Sequence, residues 1–84
     1  MAWVIVEDAA LDMQHIAEEA ILNFGDHDAR RYTLKLFDMF DRLAAMPHLA
    51  SLKQTAHRNV RPVPCGAHHS RYLVENEDVV LLRV

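Results

Sequence analysis

The sequence predicts an α+β fold with the element order β-α-α-β-β-β, an antiparallel helix hairpin packed on one face of a small, mainly antiparallel sheet. Three observations carry this. A short β-branched run opens the chain, and two apolar stripes at helical spacing follow with Gly25 between them. The last third then breaks into short alternating segments divided by turn residues.

Ala2-Trp3-Val4-Ile5-Val6 is a continuous apolar run, the pattern of a strand covered on at least one face. Glu7-Asp8 ends it, and Asp8 is expected as the N-cap, its carboxylate accepting the first unpaired backbone amides. From there Ala9, Met13, Ile16, Ala17, Ala20, Ile21 and Phe24 recur in steps of three and four. That lays one apolar stripe along a helix, with Glu18 and Glu19 on the other side. Gly25 supplies the left-handed C-cap. Asp26-His27-Asp28 is expected as a tight connection holding a second N-cap. Ala29, Tyr32, Leu36, Phe37, Phe40, Leu43 and Ala44 then repeat at the same spacing, with Arg31, Lys35, Asp38 and Arg42 outward. Pro47 ends the run. So short a connection turns the two helices antiparallel, with facing apolar stripes.

Residues 47–57 show no clean period and read as a connecting loop. Arg58–Val63 reads as a strand at a sheet edge, because Pro62 and Pro64 cannot donate to a ladder. Pro64-Cys65-Gly66-Ala67 is a turn. His69–Glu75 alternates, with Ser70, Tyr72 and Val74 on one face and His69, Arg71, Leu73 and Glu75 on the other. Asn76-Glu77-Asp78 is a hairpin turn, and Val79–Val84 is the last strand.

Eighty-four residues make one domain, 1–84, with 51% apolar and 25% charged residues. A chain this short buries only roughly 60% of the surface it exposes when unfolded, so its stability is thin. No run is long enough to cross a bilayer, and no basic-then-apolar leader opens the chain. The single cysteine, Cys65, excludes an internal disulfide and suits a reducing compartment, which points to the cytoplasm. The net charge of −3 argues against a general nucleic-acid binder, but it is unevenly spread. Residues 1–52 carry −5 and residues 53–84 carry +2. A basic surface on an acidic scaffold suits one acidic polypeptide segment better than a long phosphate backbone.

Few motifs carry chemistry. There are six histidines, but no two stand at His-x3-His on a helix, and one cysteine excludes zinc-finger spacings. No metal and no cofactor is therefore expected. His68 and His69, adjacent on a strand, point to opposite faces. Cys65 has His68 close in sequence but no orienting carboxylate, so it reads as a small turn residue rather than a nucleophile. Glu18 and Glu19 diverge on their helix and form no glycosidase pair. What remains is a basic set on the sheet: Arg58, Arg61, Arg71 and Arg83, with His68, His69 and Tyr72 interleaved. Arginine forks suit carboxylates or phosphates, and aromatic neighbours suit stacked bases. The competing reading is a half-exposed sheet with solvated arginines and Tyr72 in the core. By strand parity Arg71 and Tyr72 face opposite ways. The candidate binding residues are Arg58, Arg61, His69, Arg71, Tyr72 and Arg83, and no catalytic set is expected.

The layout, with Val60-Arg61, Gly66-Ala67-His68, Arg71-Tyr72-Leu73-Val74 and Val79-Val80-Leu81-Leu82-Arg83-Val84, resembles the ParE branch of the ParE/RelE toxin superfamily. Ala9-Ala10-Leu11-Asp12, Ile16 and Leu43-Ala44-Ala45-Met46-Pro47 extend the resemblance over nearly the whole chain. It implies a toxin of a type II toxin–antitoxin module, neutralised in a hetero-oligomer by a ParD-like antitoxin whose C-terminal segment wraps it. Released ParE toxins poison DNA gyrase without chemistry of their own. The RelE branch instead cleaves mRNA on the ribosome, using basic residues and a late tyrosine or histidine.

A charge of −3 suits the ParE branch better than a ribosome-bound nuclease, and the lysine cluster of the RelE active face is absent. Pro62 stands where many relatives carry a second basic residue. Relatives run on past the position of Val84 into a Leu-His-rich stretch and a tail, which this chain lacks, and with it the late catalytic position of the ribonuclease branch. The resemblance thus implies a ParE-like toxin with an antitoxin partner and DNA gyrase as target, with no sequence-specific nucleic-acid or membrane contact. Arg61, Arg71 and Arg83 are expected to pair with antitoxin acids or the target, while Arg58 borders the loop. The alternatives are a RelE-like mRNA endoribonuclease and a degenerate, non-toxic relative kept as an antitoxin-binding module.

Overall fold

The computed structural model describes residues 2–48, 53–54 and 59–84. The elements are β1 (Trp3–Ile5), α1 (Glu7–Phe24), α2 (Asp26–Ala45), β2 (Lys53–Gln54), β3 (Asn59–Cys65), β4 (His68–Glu75) and β5 (Asp78–Arg83). The strands lie side by side in the order β1-β5-β4-β3-β2. β1 runs parallel to β5, with Trp3 opposite Val79 and Ile5 opposite Leu81, and the other pairs are antiparallel. The expected α+β order stands, with one addition. Residues 53–54, read as part of a loop, form a two-residue strand against Val60 and Asn59.

The prolines explain what happens next along β3. β2 covers only Asn59 and Val60, so Pro62 and Pro64 sit where the strand has no outer neighbour among the described residues and their missing N–H groups break no described ladder on that side. The strand therefore runs through both prolines to Cys65 instead of ending at Val63, and the turn contracts to Gly66 and Ala67. Arg58 lies outside the described residues.

Both helix starts differ from expectation. α1 begins at Glu7, with Val6 at its N-cap and no side-chain cap bond. Val6 donates its N–H to Leu81 O at 3.2 Å and accepts from Ala10 N at 2.9 Å, so the strand passes straight into the helix. Asp8 falls in the first turn with Glu7, where both acids meet the positive end of the helix dipole. α2 already begins at Asp26, and the whole connection is Gly25. At φ 86° and ψ 169° Gly25 occupies backbone space that a side chain rarely adopts, while its N–H closes α1 on Ile21 O at 2.9 Å. α2 ends at Ala45, before Pro47, as expected.

One face of the sheet packs on the hairpin. Tyr72, Phe40, Leu36, Leu43, Leu81 and Val79 are fully buried there. Trp3 anchors β1 to α2: its ring lies 5.2 Å from Phe40 and 5.9 Å from Phe37, and its Nε1–H donates to Asp41 Oδ1 at 2.9 Å. Ile21 and Phe24, expected in the buried stripe, are 46% and 70% exposed. Both stand in the last turn of α1, whose packing on the sheet is against β5, and Phe24 there opens onto a groove.

Candidate interaction surfaces

At one end of the molecule Tyr32 reaches from α2 to the β3–β4 turn. Its hydroxyl lies 2.5 Å from His68 Nδ1 and 3.3 Å from Cys65 O, and it accepts the N–H of Ala67 at 3.2 Å. With one proton to give, the phenol donates either to the imidazole or to the carbonyl. Gly66, at φ +60°, sits directly beneath: a Cβ there would meet Tyr32 Cε1 and Oη at 2.8 Å. Beside this corner opens a groove of about 550 Å³ whose lining includes apolar Ile16, Ala20 and Phe24 and the acids Glu19 and Asp28. Composition and spacing gave no hint of the Tyr32–His68 contact. The one available signal was Gly66 in its turn.

At the far end of β5 Arg83 forms a bidentate pair with Asp12 of α1, Nε to Oδ2 at 2.7 Å and Nη2 to Oδ1 at 2.9 Å. Asp12 Oδ2 also accepts the N–H of Val84 at 3.0 Å. The guanidinium holds the Asp12 carboxyl below the usual carboxylate range, and against that pull partial burial raises it. The same hydrogen bond pushes the Arg83 pKa up. Asp12 lies between Ala9 and Ile16 along the apolar stripe, and an acid in such a stripe signals a paired acid.

Among the described residues, no helix packs on the opposite face of the sheet. Val4, Val80 and Leu73 form a row across β1, β5 and β4. Leu73 is buried, at 7% exposure, whereas Val4 is 46% exposed. Two residues along β4 from Leu73 stands exposed Arg71, and exposed His69 follows. Arg71 is in register with Pro62 on one side and Arg83 on the other, beside a bulge in β5.

The expected binding residues thus separate. His69 and Arg71 share the helix-free face, with Arg83 beside them but tied to Asp12. Arg61 is half-buried opposite Tyr72, on the helix side. Tyr72, expected at the binding surface, is a core residue at 0% exposure, and its hydroxyl donates to Pro47 O at 2.8 Å. A side chain with no accessible surface touches no partner. Cys65, expected in a turn, is buried within β3. Desolvation pushes its thiol pKa up against the opposing charges of Lys35 and Arg42, the reverse of what a nucleophile needs. Ser70 is fully buried, and its hydroxyl has no hydrogen-bond partner among the described residues.

No curated protein sequence matches the chain. A chain of the solved chromosomal ParDE TA system from P. aeruginosa is similar in structure, with a TM-score of 0.81 over 99% of this chain and 91% of that one. At 15% identity this likeness speaks for the fold. The family model described as ParE toxin of type II toxin-antitoxin system, parDE, matches residues 4–84. A match that spans both helices and every strand from β2 onward makes this chain a member of the ParE toxin family of type II toxin–antitoxin systems.

Proposed function

We propose that this protein acts by binding rather than by chemistry: it poisons DNA gyrase when released and is held inactive by a ParD-like antitoxin. An acidic, amphipathic segment of that antitoxin lies on the helix-free sheet face, with Arg71 and His69 meeting its carboxylates. Arg83, in register with Arg71 on β5, borders the site, while Arg61 lies on the opposite, helix-side face. The observation that supports this reading is the accessible apolar pair Val4 and Val80, bordered across β4 by the exposed Arg71. Such a surface suits a partner with apolar side chains on one face and acids at its margin. Covering Val4 and Val80 in a complex also stabilises a small domain by mass action. The Tyr32–His68 contact, a phenol against an imidazole, is engaged with the backbone of its own turn.

A supercoiling assay tests the target. Purified protein is expected to inhibit gyrase and trap cleaved DNA, and the antitoxin is expected to relieve the inhibition. Unimpaired supercoiling, together with codon-dependent mRNA cuts on translating ribosomes that Arg61→Ala abolishes, would select the ribonuclease reading instead. Harmless overexpression with antitoxin binding retained would select the non-toxic binding module.

A further inference from the structure

We propose that two copies of this chain pair through the outer faces of their helix hairpins, the faces turned away from the sheet, to form a twofold dimer. This is independent of the target assigned above. The seam between α1 and α2 on that side holds a shallow hollow of about 310 Å³, with no strand residue in its lining. Small side chains, Ala17 and Ala29, leave the hollow open, and Ile21 and Leu34 stand beside it at 46% and 56% exposure. A branched apolar side chain on a rim and a hole between two helices are the two halves of a knob-into-hole contact, and this face carries both.

Charge decides for a second copy over another partner. In a twofold interface one patch meets itself, so it must contain its own complement. The hollow is lined by one acid, Asp26, and one base, Arg30, and neither has an ion-pair partner among the described residues. A twofold axis near the seam sets Asp26 of each protomer against the partner's Arg30 while Leu34 enters the partner's hollow. The groove beside Tyr32 fails this requirement, because Glu19 and Asp28 are lined up there without a lysine or arginine. The area also suffices. Helices of 18 and 20 residues present a face roughly 27–30 Å long and about 20 Å wide, and its ridged surface is on the order of the ~800 Å² per partner of a standard interface.

Sedimentation equilibrium of the full chain, with the antitoxin absent, tests this. A concentration-dependent species of twice 9.7 kDa is expected. Leu34→Asp should leave a monomer with an unchanged far-UV CD spectrum. Asp26→Lys and Arg30→Glu should each weaken dimerisation about tenfold, and the double reversal should restore it, since about 1.4 kcal/mol of lost pairing is a factor of ten. A monomer at every concentration overturns the proposal. So does a Leu34→Asp chain that still dimerises, or a double reversal that rescues nothing. Loss of antitoxin binding by Leu34→Asp from an otherwise monomeric chain also overturns it and gives the face to the antitoxin.

Discussion

The phenolic oxygen of Tyr32 sits 2.5 Å from His68 Nδ1 and takes the Ala67 N–H at 3.2 Å, so one side chain from α2 pins the β3–β4 turn. Gly66 makes this possible twice over, by its positive φ and by leaving room for the ring. Gly66→Ala is expected to destabilise by about 1–3 kcal/mol in chemical denaturation, because both the backbone and the Tyr32 ring must shift. Tyr32→Phe keeps the packing but leaves the Ala67 amide without its acceptor, and about 1 kcal/mol of loss is expected.

The Asp12–Arg83 pair sets a pH dependence. Asp12 has a lowered pKa in the folded state, so the unfolded chain binds more protons through the acid range. Its contribution is complete above the unfolded carboxylate value of about 3.9 and disappears as pH falls through the lower folded value. The stability difference between the natural chain and Asp12→Asn is therefore expected to be largest near neutral pH and to vanish in strong acid. Urea unfolding at a series of pH values reads it directly. A constant difference down to acid pH would remove the carboxylate from the explanation.

The β4–β5 hairpin carries a correctable strain. Asn76 and Glu77 both have positive φ, 51° and 67°, as a two-residue type I′ turn requires. Asparagine tolerates that conformation better than glutamate does. Glu77→Gly is expected to stabilise by roughly 0.5–1 kcal/mol, after the extra flexibility of glycine in the unfolded chain is subtracted. For a domain of this size that is a rise in melting temperature of several degrees.

Ser70 offers a second stabilising change. Its buried hydroxyl has no partner among the described residues, and desolvating it without a hydrogen bond costs free energy. Ser70→Ala is expected to be neutral or to stabilise by up to about 1 kcal/mol in thermal melts. Clear destabilisation would show that the hydroxyl is paired in solution.

Much of the architecture was legible because it rests on periodicity. Leu36, Phe40 and Leu43 announced one helix face, the alternation from Ser70 to Val74 announced the sheet, and Pro47 marked the end of α2. The start of α1 was missed because strand β1 hands Val6 directly to the helix, and no side-chain cap is needed. The extent of β3 was missed because a proline ends a strand only where its N–H faces a neighbour, and sequence does not say which side is open. The candidate surface was half legible: parity placed Arg71 and Tyr72 on opposite faces, but only the packing puts Tyr72 in the core and Arg83 on Asp12. The Tyr32–His68 contact joins residues 36 apart with no periodic relation, so nothing local could disclose it.

The docking of an acidic polypeptide on the helix-free face is tested most directly by calorimetric titration of the cognate antitoxin into the natural chain and Arg71→Glu. Arg71 is exposed, so its reversal should leave thermal stability within about 0.5 kcal/mol of the natural chain. The expected result is a dissociation constant raised tenfold or more, with a weaker salt dependence. An unchanged affinity in the Arg71→Glu chain would contradict the account.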